Sequence, residues 1–555
     1  MKPTTTIKLR RYSQIFFLAL FFILLLSTEY RGSIRSTETE IRLPYPVSIF
    51  LEIDPLACIA NALATHSLYR RLFWSLLIIV PTFFLGRFFC GWICPLGTLN
   101  HFFSHLKSES KRGLQRIEAN RYKRWQTLKY YILLAVLVAA ILGSLVVGVL
   151  DPISLTVRSM SMSVLPALNY GCSTFFEALQ HTNLGILQSV GGVLHLVLKQ
   201  TVLSFKQPHF RQAFLLGGIF ILILGLNLRI TRFWCRALCP LGALLGILSK
   251  WSILGLEKRA GMCEQCNRCL LHCQGGDDPI PGAKWRKAEC HLCLNCVEVC
   301  PQNDIRFRFF PRTENTIVKP DLQRRRMITS MAAGVAMLPL LRSSTSLEAE
   351  RNERLIRPPG ALDEKHFLER CIRCGECMKV CPNNALHPSF LEAGLEGIWT
   401  PVLVPRIGYC EPTCVLCGQV CPTGAIWEIT QKEKLGTSQE SNRQEAGEAP
   451  VKLGTAFYDR GRCLPWAMAI ECIVCEEWCP TSPKAIYLKP ALVVDAEGRS
   501  KEVKQPYVDP NRCIGCGACE YACPVQDRPA VYVTSIGESR SKSNQILLNR
   551  KRKPV

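Results

Sequence analysis

The chain has 555 residues, 48% of them hydrophobic, with 67 Lys and Arg against 44 Asp and Glu and a formal net charge of +23. That length is too great for one domain, and the apolar content suits a membrane protein with a large soluble part. The basic excess does not point to nucleic acid, because it lies in short loops flanking apolar runs and in the tail, where the positive-inside rule accounts for it. Thirty cysteines raise the alternative of a disulfide-rich secreted protein. Their spacing argues against it: twenty-four fall in six groups of four, mostly C-x2-C-x2-C-x3-C, and five groups end in Pro. A disulfide framework has no reason to repeat that pattern, whereas [4Fe–4S] ligation does.

In chain order, Lys8, Arg10 and Arg11 precede a first apolar run, Ile15 to Leu26, which lacks a cleavage-like site and reads as an uncleaved helix. Further spans are expected at Leu72 to Phe89, Tyr130 to Leu150 and Ala213 to Leu228. The loop after the second is rich in Lys and Arg and should be cytoplasmic, which puts segments 29–66 and 151–212 outside. Leu184 to Phe205 carries Gln188, His195, Lys199 and Gln200 and is expected as an interfacial helix. Cys58 and Cys172 fall outside in this topology, as a disulfide or as separate thiols. The histidines show no paired spacing that suggests haem.

This half contains a duplication. Asp54-Pro55 precedes a helix ending in Cys90-Gly91-Trp92-Ile93-Cys94-Pro95, and Asp151-Pro152 precedes one ending in Cys235-Arg236-Ala237-Leu238-Cys239-Pro240. Two such units predict a pseudo-twofold four-helix bundle that gathers Cys90, Cys94, Cys235 and Cys239 at its inner end. Residues i and i+4 share a helix face, so each pair is a candidate for a metal, a cluster or a thiol relay, with burial as small apolar residues as the alternative. Asp54 and Asp151 are placed where a quinol proton leaves to the outside; helix-starting Asp-Pro turns are the plainer reading.

Cys263, Cys266, Cys269 and Cys273, then Cys290, Cys293, Cys296 and Cys300, form a two-cluster ferredoxin unit. The fourth cysteine of each run is expected to ligate the other cluster, so Cys300 joins the first set and Cys273 the second. So short a stretch is held by metal more than by core. Next comes Gln323-Arg324-Arg325-Arg326-Met327 and an apolar run, Ile328 to Leu341. Its length, about 15 residues, suits a signal h-region, and it reads as a twin-arginine export signal in mid-chain. A basic loop before a short buried helix is the alternative.

Four more runs follow: Cys371, Cys374, Cys377, Cys381; Cys410, Cys414, Cys417, Cys421; Cys463, Cys472, Cys475, Cys479; and Cys513, Cys516, Cys519, Cys523. The outer two are regular and the inner two loosened. Short strands are expected at Ala425 to Trp427, Ala485 to Tyr487 and Ala530 to Val533. Nested pairing, regular with regular and loose with loose, is preferred over adjacent pairing. The polar stretch 431–451 reads as a solvated insertion and the basic end from Gly537 as disordered.

The first 320 residues resemble the NapH family, through the apolar helices, the motifs at Cys90/Cys94 and Cys235/Cys239 and the two following cluster runs. Residues 321 to 535 resemble the NapG family, through the twin arginine and the regular–loose–loose–regular order. The resemblance implies a quinol dehydrogenase module that sends electrons outward to a periplasmic reductase or c-type cytochrome. The expected architecture is a membrane α-helical bundle of four helices plus a signal-anchor helix, joined to α+β ferredoxin-like domains. Its divisions are 1–250 membrane domain, 251–320 cytoplasmic ferredoxin, 321–345 signal or anchor, 346–535 exported ferredoxin and 536–555 basic tail. It would hold six [4Fe–4S] clusters, sit in a bacterial inner membrane and use quinol from the lipid pool. Input from a ferredoxin, or a maturation or regulatory role for a partner reductase, are the competing readings.

Overall fold

The computed structural model describes residues 3–29, 42–43, 45–106, 113–181, 185–204, 207–258, 263–264, 266–281, 283–311, 322–349, 352–436, 449–494, 497–541 and 544. A helical bundle is flanked by two ferredoxin-like units. Two described helices are long and apolar enough to cross a membrane, Thr5–Ser27 and Leu114–Ile141, and Pro55–Thr65 and Ala213–Leu226 are shorter apolar helices. The expected span over 72–89 is broken: a 3-10 turn, Arg70–Ser75, leads into Leu76–Leu85, which carries Pro81. The span expected from Tyr130 ends at Ile141, short of a 3-10 turn at Val146–Val149.

Segments 47–66 and 151–164 pack into the helical core. Asp54 and Asp151 each accept a backbone N–H, from Leu56 and Ser154, and each is followed by Pro at the first helical position, where its missing N–H costs nothing. The helices they start, Pro55–Thr65 and Pro152–Ser159, bury Leu56, Ala60, Ile153, Leu155 and Val157 in the main core. A π-helical turn, Met160–Val164, continues the second. Leu184 to Phe205 contains the helix Gly185–Thr201, which packs on Leu165–Gln180.

The first ferredoxin unit closes with an antiparallel pair, Leu254–Lys258 against Ile305–Phe309. The second has three antiparallel pairs: Leu386–Pro388 with Pro401–Leu403, Thr455–Tyr458 with Val531–Thr534, and Ile486–Val494 with Ser500–Val508. Two of the expected closing strands form; at 425–427 only a single bridge, Ala361 to Ile426, is made.

The two units touch opposite ends of one helix, Leu128–Ile141, whose 14 residues rise roughly 20 Å. At its start, Glu289 of the first unit meets Lys129 and accepts from Tyr130 Oη at 2.9 Å, with Arg87 3.9 Å away, all buried. Just beyond its end, Arg373 of the second unit donates to Leu145 O. The helix Arg324–Ala349 runs alongside in the same direction: Gln323 N donates to Tyr131 Oη, and Arg342 donates to Leu142 O and Gly143 O. A Cβ at Gly334 would come within 2.7 Å of Ala135 O, so the two helices cross in close contact at their middles.

The start of the tail is ordered: Arg540 pairs with Glu364 at 2.9 Å and with Glu538 at 2.7 Å. The rest of the tail beyond 544 lies outside the described residues. Burial would raise the Glu364 carboxyl, but Arg357 and Arg540 beside it hold it down at about 2.

Two outcomes are expected. Glu289→Ala strands Lys129 and Arg87 in the interior and should lower stability by about 3–5 kcal/mol, read from thermal unfolding of the full chain. Glu364→Gln should shift the urea midpoint at pH 7 by an amount equivalent to about 3 kcal/mol. Because the folded carboxyl titrates below its ordinary 4.5, the contribution is present above that pH, and the difference from wild type should fade between 4.5 and about 2.

Candidate iron–sulfur centres

The fold brings the twenty-four cysteines of the six runs together in sets of four. In the first unit Cys269 neighbours Cys263, Cys266 and Cys300, and Cys290, Cys293 and Cys296 surround the same space as Cys273. The crossover of fourth cysteines thus matches the spacing argument. In the second unit the crossover is between adjacent runs, which corrects the nested expectation. One cavity is lined by Cys371, Cys374, Cys377 and Cys421. Cys410, Cys414, Cys417 and Cys381 form a second set. Another cavity is lined by Cys463, Cys472, Cys475 and Cys523, and a further one by Cys479, Cys513, Cys516 and Cys519. Likeness of run spacing does not govern pairing; chain proximity does, since each fourth cysteine leaves its run at the end of a one-turn helix and enters the neighbouring half.

Local backbone explains the two kinds of run. In the regular runs the residue before the third cysteine's helix is left-handed: Gly375 (φ 88°), Gly517 (φ 86°), Leu294 (φ 61°) and Asn267 (φ 56°). In the loosened runs the matching residues, Val415 (φ −123°) and Ile473 (φ −119°), are not. The longer spacer upstream lets the chain wrap without the left-handed turn that favours glycine.

The sets form a row. Cys410 N donates to Cys516 O at 2.8 Å, so the Cys410 and Cys513 sets are neighbours at the centre of the second unit, with the Cys371 and Cys463 sets at its two ends. Cys374 belongs to the same apolar core as Cys90, Cys94 and Cys239 of the bundle. Arg158 donates to Arg373 O at 2.8 Å and stacks on Trp399 at 4.6 Å. A Cβ at Gly148 would lie 2.0 Å from Ile372 O, between Cys371 and Cys374. On the other side, a Cβ at Gly91 would lie 2.1 Å from His291 O, between Cys290 and Cys293. Each ferredoxin unit therefore meets the bundle through a cysteine loop pressed on a glycine backbone.

The bundle cysteines are not on one helical face as i, i+4 pairs. Cys90 and Cys235 lie in one-turn helices, Phe88–Trp92 and Phe233–Ala237, and the chain breaks before Cys94 and Cys239, which head the helices Pro95–Leu106 and Pro240–Leu248. Asp54 and Asp151 are 0% and 2% exposed, and burial, with Asp151 close by, pushes the carboxyl of Asp54 well up. Among the described residues no cysteine is in a disulfide, Cys58 and Cys172 included.

Burial pushes the thiols of Cys463 and Cys516 up to about 12 and those of Cys269 and Cys475 to about 11. They stay protonated at neutral pH until iron displaces the proton, so loading releases protons. Residues the spacing argument passed over tune these sites. Lys434, in the stretch read as a solvated insertion, is buried, donates to Cys410 Sγ at 3.3 Å and to Cys414 O. Its helix, Gln431–Leu435, is fixed by a Thr430/Glu433 capping box, the one signal in the sequence that could have marked it. Tyr458 Oη lies 3.0 Å from Cys475 Sγ. Glu376, buried with no donor to either carboxyl oxygen among the described residues, is pushed up to about 8 by that burial, against the pull of Lys379.

Four thiols around one space, with N–H donors on some of the sulfurs, fit a cubane cluster, and the comparisons agree. A family model described as 4Fe-4S binding domain matches residues 68–114, 212–257 and 415–438; a 4Fe-4S dicluster domain matches 442–526; a further 4Fe-4S binding domain matches 365–387. The ferredoxin-type protein NapG of Escherichia coli is 30% identical over 234 residues, 40% of this chain and 90% of NapG. The chain belongs to the NapG/MauM family of ferredoxin-type proteins. The methylamine utilization ferredoxin-type protein MauM of Methylorubrum extorquens is 33% identical over 34% of this chain and 76% of its own. NapF of Escherichia coli is 31% identical over 32% and 85%. No solved structure matches. The chain is thus an electron-transfer iron–sulfur protein of this family, with [4Fe–4S]-binding domains.

Lys434→Met should disfavour the reduced form of the Cys410-set cluster by about 1–2 kcal/mol, since reduction adds negative charge beside the lost ammonium. Potentiometric titration followed by EPR would show one midpoint moved down and the others in place.

Proposed function

We propose that this chain is a membrane-bound relay that oxidises quinol and passes electrons through six [4Fe–4S] clusters to an acceptor on the far side of a bacterial inner membrane. The observation that carries this reading is the docking of two ferredoxin units at opposite ends of the helix Leu128–Ile141. The bundle half then plays the part of a NapH-like subunit fused to a NapG-like one. The twin-arginine segment Arg324 to Arg326 is the export signal whose helix takes the second unit across. Bound clusters supply one-electron carriers at the six cysteine sets.

The residues of the chain do the rest. Glu289, Lys129 and Arg87 lock the first unit to the bundle, and Arg158 and Arg373 lock the second. Cys371-set ligands face the bundle, and the Cys463 set lies at the far end of the row, nearest an acceptor such as a periplasmic reductase or c-type cytochrome. Asp54 and Asp151, buried close together in the bundle, are the acceptors available where quinol oxidation must release protons.

A second reading has one observation in its favour. Cys266 of the first unit is exposed, which suits direct reduction by a soluble ferredoxin. The two are separated by mixing purified full-length protein, anaerobically, with menaquinol or with reduced ferredoxin and following cluster bleaching. Reduction by quinol within turnover times supports the proposal; reduction by ferredoxin alone replaces it. A reporter fused after Val555 should be active only outside the cytoplasm, and activity inside would overturn the outward direction.

A further inference from the structure

We infer that Cys90, Cys94, Cys235 and Cys239 together ligate a seventh cluster of the [4Fe–4S] type, inside the bundle and shared across its pseudo-twofold axis. For its purpose the inference rests on the electron-transfer reading; for its chemistry it rests on the four thiols. All six pairs among them are close electrostatic neighbours, so the sulfurs surround one space.

Each sulfur has a nitrogen aimed at it. Gly97 N donates to Cys94 Sγ at 3.4 Å and Gly242 N to Cys239 Sγ at 3.2 Å, the two halves of the duplication repeating one contact. Asn100 Nδ2 donates to Cys235 Sγ at 3.5 Å, and Arg87 Nη2 stands 4.0 Å from Cys90 Sγ. The same kind of contact marks the ferredoxin sets, as in Ala385 N to Cys381 Sγ at 3.3 Å and Ile426 N to Cys421 Sγ at 3.4 Å. N–H donors of this kind stabilise thiolate ligands and tune cluster potential.

Charge points the same way. Arg87 and Arg232 are fully buried beside the four sulfurs, and Arg232 donates to Cys90 O while its Nε and Nη2 have no hydrogen-bond partner among the described residues. Arg87 shares the one carboxylate of Glu289 with Lys129, and Arg232 has no carboxylate partner among the described ion pairs, so the buried positive charge exceeds its counter-charge. A cluster with four thiolates carries net negative charge and supplies the remainder.

The competing occupants fit less well. A disulfide relay is not formed, and the helix breaks between the cysteines of each pair. A single ion needs three ligands at bonding distance of one point, and no such group exists among the described residues. The ferredoxin sets share that property, because a cubane holds its cysteines apart. The stretches 68–114 and 212–257 that match a 4Fe-4S binding domain each contain only two of the four cysteines, so one cluster requires both.

Position gives the centre its use. Gly91, beside Cys90, lies on the Cys290–Cys293 loop, and Cys94 and Cys239 share a core with Cys374. An electron leaving the first unit meets this centre before the second, and the step is a one-electron reduction and reoxidation of the cluster with no bond to a side chain broken.

The test counts iron and acid-labile sulfide in full-length protein purified anaerobically from membranes. Wild type should hold about 28 of each per chain, and Cys90→Ser/Cys235→Ser about 24. Equal counts in the two proteins, or about 24 in wild type, would overturn the seventh site. Should the double variant fail to assemble, Asn100→Ala keeps all four ligands: unchanged iron with one EPR midpoint displaced supports the site, and an unmoved set of midpoints overturns it. Iron loss with undiminished reduction of the second unit would keep the cluster but remove it from the path. A full count with no reduction of the second unit would leave this site standing and sink the relay.

Discussion

Two bare backbones hold this molecule to its architecture. Gly91 lets the loop bearing His291 settle onto the bundle, and Gly148 does the same for the loop bearing Ile372. In both places the loop is the one between the first two cysteines of a run, so the contact that docks a ferredoxin unit is also the contact that brings its metal ligands nearest the bundle. A side chain at either position would hold the unit off by the width of a methyl group, and electron transfer falls steeply with distance. The buried ion cluster of Glu289, Lys129 and Arg87 then fixes orientation on one side, as Arg158 and Arg373 do on the other.

Between those contacts the bundle is organised by its duplication. The paired Asp-Pro helix starts and the paired C-x3-C-P breaks put two kinds of chemistry on one axis. The carboxyls of Asp54 and Asp151 face each other, and the four sulfurs surround a common space. Neither arrangement exists within one repeat. The bundle makes its central groups only when both halves have folded against each other, so its interior chemistry and its stability form together.

The cysteine runs were readable because metal ligation imposes spacing on the chain itself. The crossover in the first unit followed from it, while the helix at Arg324–Ala349 and the strands at Ile486 and Val531 were legible in their short apolar runs. What spacing could not carry was anything settled in three dimensions. Pairing in the second unit depends on which halves pack, and like runs do not attract like. Asp54 and Asp151 looked like surface turns because hydropathy treats a carboxylate as exposed, and it has no means of showing that two of them face each other. The i, i+4 argument failed at Cys94 and Cys239 because the following prolines start new helices. Lys434 was hidden in a polar stretch, where composition suggests solvent and one ammonium in fact reaches a sulfur.

The helix Arg324–Ala349 lies against Leu128–Ile141 with Gly334 seated on Ala135, and its end binds carbonyls of that neighbour through Arg342. Cutting the chain here would strip a wall from the bundle and free the second unit from its anchor, so the segment works as a structural strut that the bundle needs in order to stay closed.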